Sequence, residues 1–411
     1  MGILISRRNF LKASAVLVPA LATMPMVFRR TVAASNLESP RTQSSTSGRT
    51  LLVVQMAGGN DGLNTIVPYS DGRYYDLRGP VSIPESDVLH LNDEVGFHPS
   101  LAEFKKFWDD GMLAIIEGVG YPNQSYSHFE SMHIWQTAVG NSTPGKGWLG
   151  KYFETLDKSQ AKVFHGMAVG KVLPPECSTP HLPIPVVENV SRYQLQSDPS
   201  RTIAMLDLYN SSSVRSPYSV LLDETVQTAV STSQSLKEAS QGYQSSVEYP
   251  TTPFGEGLRL LAKAIVGNLG IKVGHITIGG FDTHATQLGE QAVLLQTFSQ
   301  GIHAFYQDLK EHGKDHEVTI MTWSEFGRRA KSNASVGTDH GSAAPLFIFG
   351  TPVTGGLYGQ RPDLGNLDDD NLIFTTDYRR VYATVLEQWL GTPSEAVLGR
   401  KRFQPLPIIN A

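Results

Sequence analysis

The chain has 411 residues, of which 40% are apolar and 18% charged, so it can bury a substantial core and disorder throughout is excluded. A formal net charge of −5 without a basic block in the body argues against a nucleic-acid partner. Its one cysteine, Cys177, leaves no intrachain disulfide and no thiolate cluster, so any metal must be held by His, Asp and Glu.

In chain order, Ser6-Arg7-Arg8-Asn9-Phe10-Leu11-Lys12 precedes an apolar run from Ala13 to Phe28. A twin-arginine pair before a modest apolar stretch reads as a Tat export signal. The run is shorter than the ~20 residues that span a bilayer. Residues 1–34 are therefore expected to be a signal peptide, with small residues Val32-Ala33-Ala34 before the cut. Export would place the mature chain in the periplasm or outside the cell, with the Tat translocase as a transient partner and no membrane span. Residues 35–49 are polar, Ser/Thr-rich and linker-like.

Residues 50–400 read as one domain, with 401–411 a tail. Leu51–Met56 is a short apolar run closed by glycines, the pattern of a buried parallel strand. His98–Trp108 has helical spacing, and Met112–Gly120 is a second buried strand. Ser127–Val139 is a helix that Ser127 would cap, with Glu130 three residues on. Residues 161–200 are proline-broken, and 219–246 form a polar helix that could be an insertion. Then come a helix at 257–268, a strand at 272–280, a helix at 287–312, strands at 316–327 and 345–350, and an amphipathic helix at 377–391. Alternating strands and helices predict an α/β fold, a mostly parallel central sheet flanked by helices.

Polar residues collect where strands end. VVQMAGGNDG carries Asp61, ITIGGFDTH carries Asp282 and His284, TIMTWSEFGRR carries Glu325 and Arg328, and GTDHG carries Asp339 and His340. Each alone also reads as a turn, a helix cap or a charged loop. In parallel α/β sheets, however, ligands bind at the carboxyl ends of strands, and several carboxylates held close together need a cation. The six acids and histidines are therefore candidate metal ligands. GGNDG is not a dinucleotide fingerprint, because its second glycine follows at once. In GYPNQSYSHFESM, Ser125, Ser127 and His128 fall at a helix start, where backbone N–H groups favour an anionic ester. A neighbouring metal would activate a hydroxyl there.

Taken together, RRNFLK, GGNDGLNTIVPY, SHFESM, GFDTH, SEFGRR, GTDHG and DYRRVYATVLEQWLG resemble the Tat-exported bacterial family called domain of unknown function 1501, over about residues 50–400. That resemblance implies an alkaline-phosphatase-like and sulfatase-like fold and a metal-dependent hydrolase of phosphate or sulfate esters. By it, Asp61 would be the first metal aspartate and Ser125 the nucleophile, with Ser127 as the alternative. His340, with Asp339, would be the late metal histidine. Asp282-x-His284 departs from the superfamily's Asp-x-x-x-His spacing, and Glu325 stands where Asp-His is usual. The ligand set implies Zn, Mn, Mg or Ca. Arg328 would hold the ester's anionic oxygens, and the substrate would be a small-molecule or glycan ester. The absence of Cys from the nucleophile segment excludes a formylglycine sulfatase. The alternative is a non-catalytic, metal-containing envelope or glycan-binding protein.

Overall fold

The computed structural model describes residues 48–139, 145–156, 164–179, 182–189 and 217–410. The expected signal peptide and nearly all of the expected linker lie outside the described residues.

The central sheet is built on β1 (Thr50–Ala57), β2 (Leu113–Gly120), β3 (Gly166–Val169), β4 (Val186–Val187), β5 (Val273–Gly279) and β6 (Val318–Trp323). A hairpin, β7 (Arg328–Ser332) and β8 (Thr338–His340), then leads into β9 (Ala344–Phe349), with β10 (Gly356–Gly359) and β11 (Thr376–Asp377) on one edge. The order across the sheet is β10-β2-β9-β6-β1-β5-β3-β4, and β11 also pairs with β2. The pairings are parallel except those of β9, which runs against both β2 and β6. The expected mostly parallel sheet is present.

Side chains alternate faces along a strand. On β1, Leu52 and Val54 enter one core, with Ile276, Ile320 and Phe347. Leu51 and Val53 enter the other, with Val273, Met321 and Ile348. Both faces are covered, which is why β1 reads as a continuous apolar run. The helices are α1 (Gly62–Thr65), α2 (Gly72–Arg78), α3 (Ala102–Asp109), α4 (His128–Thr137), α5 (Trp148–Thr155), α6 (Pro217–Gly242), α7 (Pro253–Val266), α8 (Gln287–Glu311), α9 (Tyr378–Thr384) and α10 (Ser394–Leu398). Residues of α3, α7 and α8 fill the first core, and those of α4, α5 and α9 fill the second. After α9 the chain continues as a π-turn, Val385–Trp389.

Two parts are more firmly docked than their composition suggests. The second half of the polar helix α6 buries Val230 and Leu236, and Ala239 abuts Gly267 at the end of α7. Within 401–410, Phe403, Leu406, Ile408 and Ile409 are buried, and the Arg379 guanidinium stacks on Phe403, so this stretch belongs to the domain.

Candidate metal centre at the carboxyl edge of the sheet

Strands β1, β2, β5 and β6 are mutually parallel, so the loops that follow them leave from one edge. β9 is reversed, so the segment before it reaches that same edge. This brings together the loop after β1 (Gly58–Asp61), the start of α4 after β2, Asp282–His284 after β5, Glu325 after β6, and the β7–β8 hairpin. Asp339 and His340 stand before a strand rather than after one because their strand runs backwards.

Ligand-type atoms of His128, Asp282 and His340 lie within 4.8 Å of one another. Asp282 is the hub. Its Oδ1 is 3.0 Å from Nε2 of His340 and 3.0 Å from Nε2 of His284, and its Oδ2 is 3.4 Å from Nε2 of His128. The two Nε2 atoms of His284 and His340 are also 3.0 Å apart.

The second nitrogen of each ring is engaged. Nδ1 of His340 lies 2.8 Å from the Tyr126 carbonyl, Nδ1 of His284 lies 3.1 Å from Oδ1 of Asp339, and Nδ1 of His128 lies 2.8 Å from Oε1 of Glu325. Carbonyl and carboxylate oxygens only accept, so each Nδ1 carries the proton it donates. In the neutral rings all three Nε2 lone pairs then face a carboxylate. Such a set of acceptors needs a cation or extra protons between them. Tetrahedral zinc with bonds of about 2.0–2.1 Å spaces its ligand atoms roughly 3.3–3.4 Å apart. The observed 3.0–3.4 Å is of that size. His128, His340 and Asp282, the two imidazoles oriented through their far nitrogens, are the set that one divalent metal could hold, with His284 beside them against Asp282 and His340.

Burial would raise the Asp282 pKa, but the Arg328 guanidinium, which donates to it, outweighs this and holds the group down to about 2. Asp339 is held below the ordinary carboxylate range, first by Asn333 against the effect of burial, then by His284.

The remaining candidates surround this set. Arg328 is fully buried. Its Nε donates to the Gly59 carbonyl at 2.7 Å and its Nη1 to the Thr338 carbonyl at 2.8 Å. Its Nη2 donates to the Gly58 and Phe281 carbonyls and to Asp282. It laces three strand-end loops together, and little of it remains for a substrate. Glu325 is buried too; Oε1 also accepts from the Gly58 N–H at 2.9 Å, while buried Oε2 has no hydrogen-bond partner. Asp61 is drawn elsewhere. Its carboxylate forms a bidentate pair with Arg78 at 2.6 and 2.7 Å, both side chains fully buried, and Nε2 of Gln287 donates to it at 2.5 Å.

Ser125 donates to Glu130 at 2.8 Å and accepts from the Ser127 N–H at 3.2 Å, so its hydroxyl is turned to the helix start. Ser127 is the N-cap of α4, yet its side chain makes no capping bond and is exposed. It immediately precedes His128.

Some contributors escaped the sequence. The Tyr126 carbonyl leaves no trace in residue type. Asn333 donates to Asp339 at 3.0 Å and to the His284 carbonyl at 2.9 Å, and its setting in KSNASVG signals only a turn. Phe326 lies under the cluster, its ring 4.9 Å from that of His128 and 4.5 Å from that of His340.

The fold and the site define an α/β protein with a histidine-rich candidate metal site at its sheet edge. Residues 49–400 match the family of proteins of unknown function DUF1501, and the chain belongs to that family. No curated protein matches it. Among solved structures it is similar to the PsFucS1 sulfatase from Pseudoalteromonas sp., with 13% identity over 95% of this chain and 76% of that one and a TM-score of 0.39. It is also similar to the lipoteichoic acid synthase LtaP from Listeria monocytogenes, with 8% identity, coverages of 87% and 76% and a TM-score of 0.37. A third is the alkaline phosphatase from the Antarctic bacterium TAB5, with 10% identity, coverages of 76% and 95% and a TM-score of 0.32.

Proposed function

We propose that the protein is an exported, metal-dependent hydrolase of phosphate or sulfate esters. The observation that carries this reading is the convergence of three Nε2 atoms on Asp282, each ring steered through Nδ1. His128, His340 and Asp282 would hold the metal, with His284 next to them. Asp339, Glu325 and Arg328 position those ligands, and Asp61 braces the loop after β1. A nitrogen-rich set favours Zn or Mn over Ca or Mg. When bound, such an ion polarises the ester and lowers the pKa of a nearby hydroxyl or water.

We assign the nucleophile's role to Ser127, whose exposed hydroxyl makes no capping bond and immediately precedes His128. Its oxygen attacks phosphorus or sulfur while the bond to the substrate alcohol breaks, the electron pair leaving on the alcohol oxygen. The proton lost by Ser127 is balanced by the one the alcohol gains, and water then cleaves the serine ester. The free N–H groups in the first turn of α4 suit the anionic oxygens.

One observation favours a second reading, a non-catalytic metal-bearing protein: the Ser125 hydroxyl is committed to Glu130 and the Ser127 N–H. Elemental analysis of purified protein, wild type beside His128→Ala, Asp282→Ala and His340→Ala, tests the centre. One or two metals per chain in wild type, lost in all three variants, are expected. Wild type should then cleave 4-nitrophenyl phosphate or sulfate, and Ser127→Ala should keep its metal but lose at least about 100-fold in kcat. Metal without turnover of any ester would leave the second reading standing; no metal in wild type would remove both.

A further inference from the structure

Asp61 is turned away from the metal centre, yet a chain of buried side chains runs from it to the strand that presents His340. Thr338, Gln287, Gln291, Asp61 and Arg78 are each at most 1% exposed. Arg78 grips both carboxylate oxygens of Asp61. Nε2 of Gln287 donates to Oδ2 of Asp61 at 2.5 Å and to Oε1 of Gln291 at 3.2 Å. Nε2 of Gln291 donates to the Asp61 carbonyl at 3.1 Å. A carboxylate only accepts, so the amide nitrogen of Gln287 must face Asp61, which turns the amide oxygen the other way. That oxygen accepts from the Thr338 hydroxyl at 2.6 Å.

Thr338 begins β8 and stands two residues before His340, so their side chains share one face of the strand and Asp339 takes the other. Its main chain is held on both sides. The N–H donates to the Thr283 carbonyl at 3.2 Å, between Asp282 and His284, and the carbonyl accepts from Arg328 at 2.8 Å. Those bonds fix where the strand lies. Side chains stand roughly perpendicular to the strand, so the hydroxyl's bond to Gln287 is the one that resists a roll about the strand axis. Such a roll would swing Nε2 of His340 away from Oδ1 of Asp282, 3.0 Å from it. Gln287 is itself pinned to the hairpin. At the start of α8, the N–H groups of Thr286 and Gln287 donate to the Ser335 and Val336 carbonyls at 3.1 and 3.0 Å, which satisfies donors that a helix start leaves open. A buried network with its polar groups paired in this way specifies one arrangement.

We propose that Gln287 is a positioning residue for the candidate metal centre: set by Asp61, its amide holds the Thr338 hydroxyl and so fixes the strand that aims His340. This rests on the metal-binding reading of His128, Asp282 and His340, and the test separates the two. Wild type, Gln287→Met, Thr338→Val and Thr338→Ser are stripped of metal, and Zn²⁺ affinity is measured by competition with a chromogenic chelator. The visible absorption of the Co²⁺-loaded proteins reports ligand geometry, and urea unfolding of the metal-free proteins reports stability. Tyr249→Phe is the control, because it loses a hydrogen bond to Asp308, roughly 30 Å along α8 from Gln287. Gln287→Met and Thr338→Val should each weaken Zn²⁺ binding about tenfold and alter the Co²⁺ spectrum. Thr338→Ser keeps the hydroxyl and should match wild type, and Tyr249→Phe should lose stability without either change. Since both substitutions break one bond, the double variant should bind no more weakly than the weaker-binding single variant. Wild-type affinity and spectrum in Gln287→Met and Thr338→Val would overturn the inference and leave the metal centre standing. An equal loss in Tyr249→Phe would overturn it too, by tracing the effect to stability alone. Failure of wild type to bind Zn²⁺ or Co²⁺ would remove the metal centre and this role with it.

Discussion

At His128, His284 and His340, one residue type is steered by three different partners: a buried glutamate, an exposed aspartate and a main-chain carbonyl. Each fixes a tautomer, and only the sum turns three Nε2 atoms inward. Asp61 and Asp282 make the opposite contrast. Both follow buried strands, and both were read as ligands. Asp282 keeps 44% of its side chain exposed, whereas Asp61 is sealed against Arg78. Removing one partner of a buried pair strands the other's charge, so Arg78→Ala should cost about 3–5 kcal/mol in urea unfolding. Asp61→Asn, if folded, should keep wild-type metal content. Loss of metal in that folded variant would restore Asp61 as a ligand.

At the scale of elements, the decisive device is the close approach of the strand-end loops. Gly59 has φ +79°, and a Cβ there would collide with the Phe326 ring, which supports His128 and His340. Left-handed strain of ~1–2 kcal/mol and overpacking of ~1–3 kcal/mol add, so Gly59→Ala should lower stability by roughly 2–5 kcal/mol. It should also weaken metal retention on dialysis against chelator. A variant as stable and as metal-rich as wild type would show that Phe326 moves without cost. Gly341 is needed for a different reason: its Cβ would strike the Arg328 backbone across the hairpin. The glycines flanking Asp339-His340 in the sequence were thus a true signal of crowding, while the hairpin itself was not foreseen.

For the whole molecule, the two cores either side of the sheet set stability, and one buried imidazole gives it an acid limit. His98 is nearly fully buried and its Nδ1 accepts the Ser100 N–H at 3.1 Å. Burial, only partly opposed by Asp61, pushes its pKa down to about 4 from an ordinary 6.5. Between these values the unfolded chain takes up a proton that the fold refuses. Stability is therefore complete above about pH 6.5 and falls as pH drops toward 4, by about 3 kcal/mol for this group. Urea midpoints at pH 7.5 and 4.5 should differ less in His98→Asn than in wild type. An unchanged difference would mean that other groups set the acid limit.

The sequence by itself determined the five longest strands of the central sheet, most helices, the collection of acids and histidines at strand ends, and the family. These depend on local period and on motif, which residue order carries directly. It also marked the segments of the site, from GGNDG to GTDHG. Only the tertiary structure decided which members of that collection face one another. Reversal of β9, sealing of Asp61 by Arg78, saturation of Arg328 by backbone carbonyls and recruitment of His128 all depend on partners far apart in the chain. A side chain's chemistry is set by what occupies its second atom and by whether water reaches it, and neither is written at its own position in the sequence.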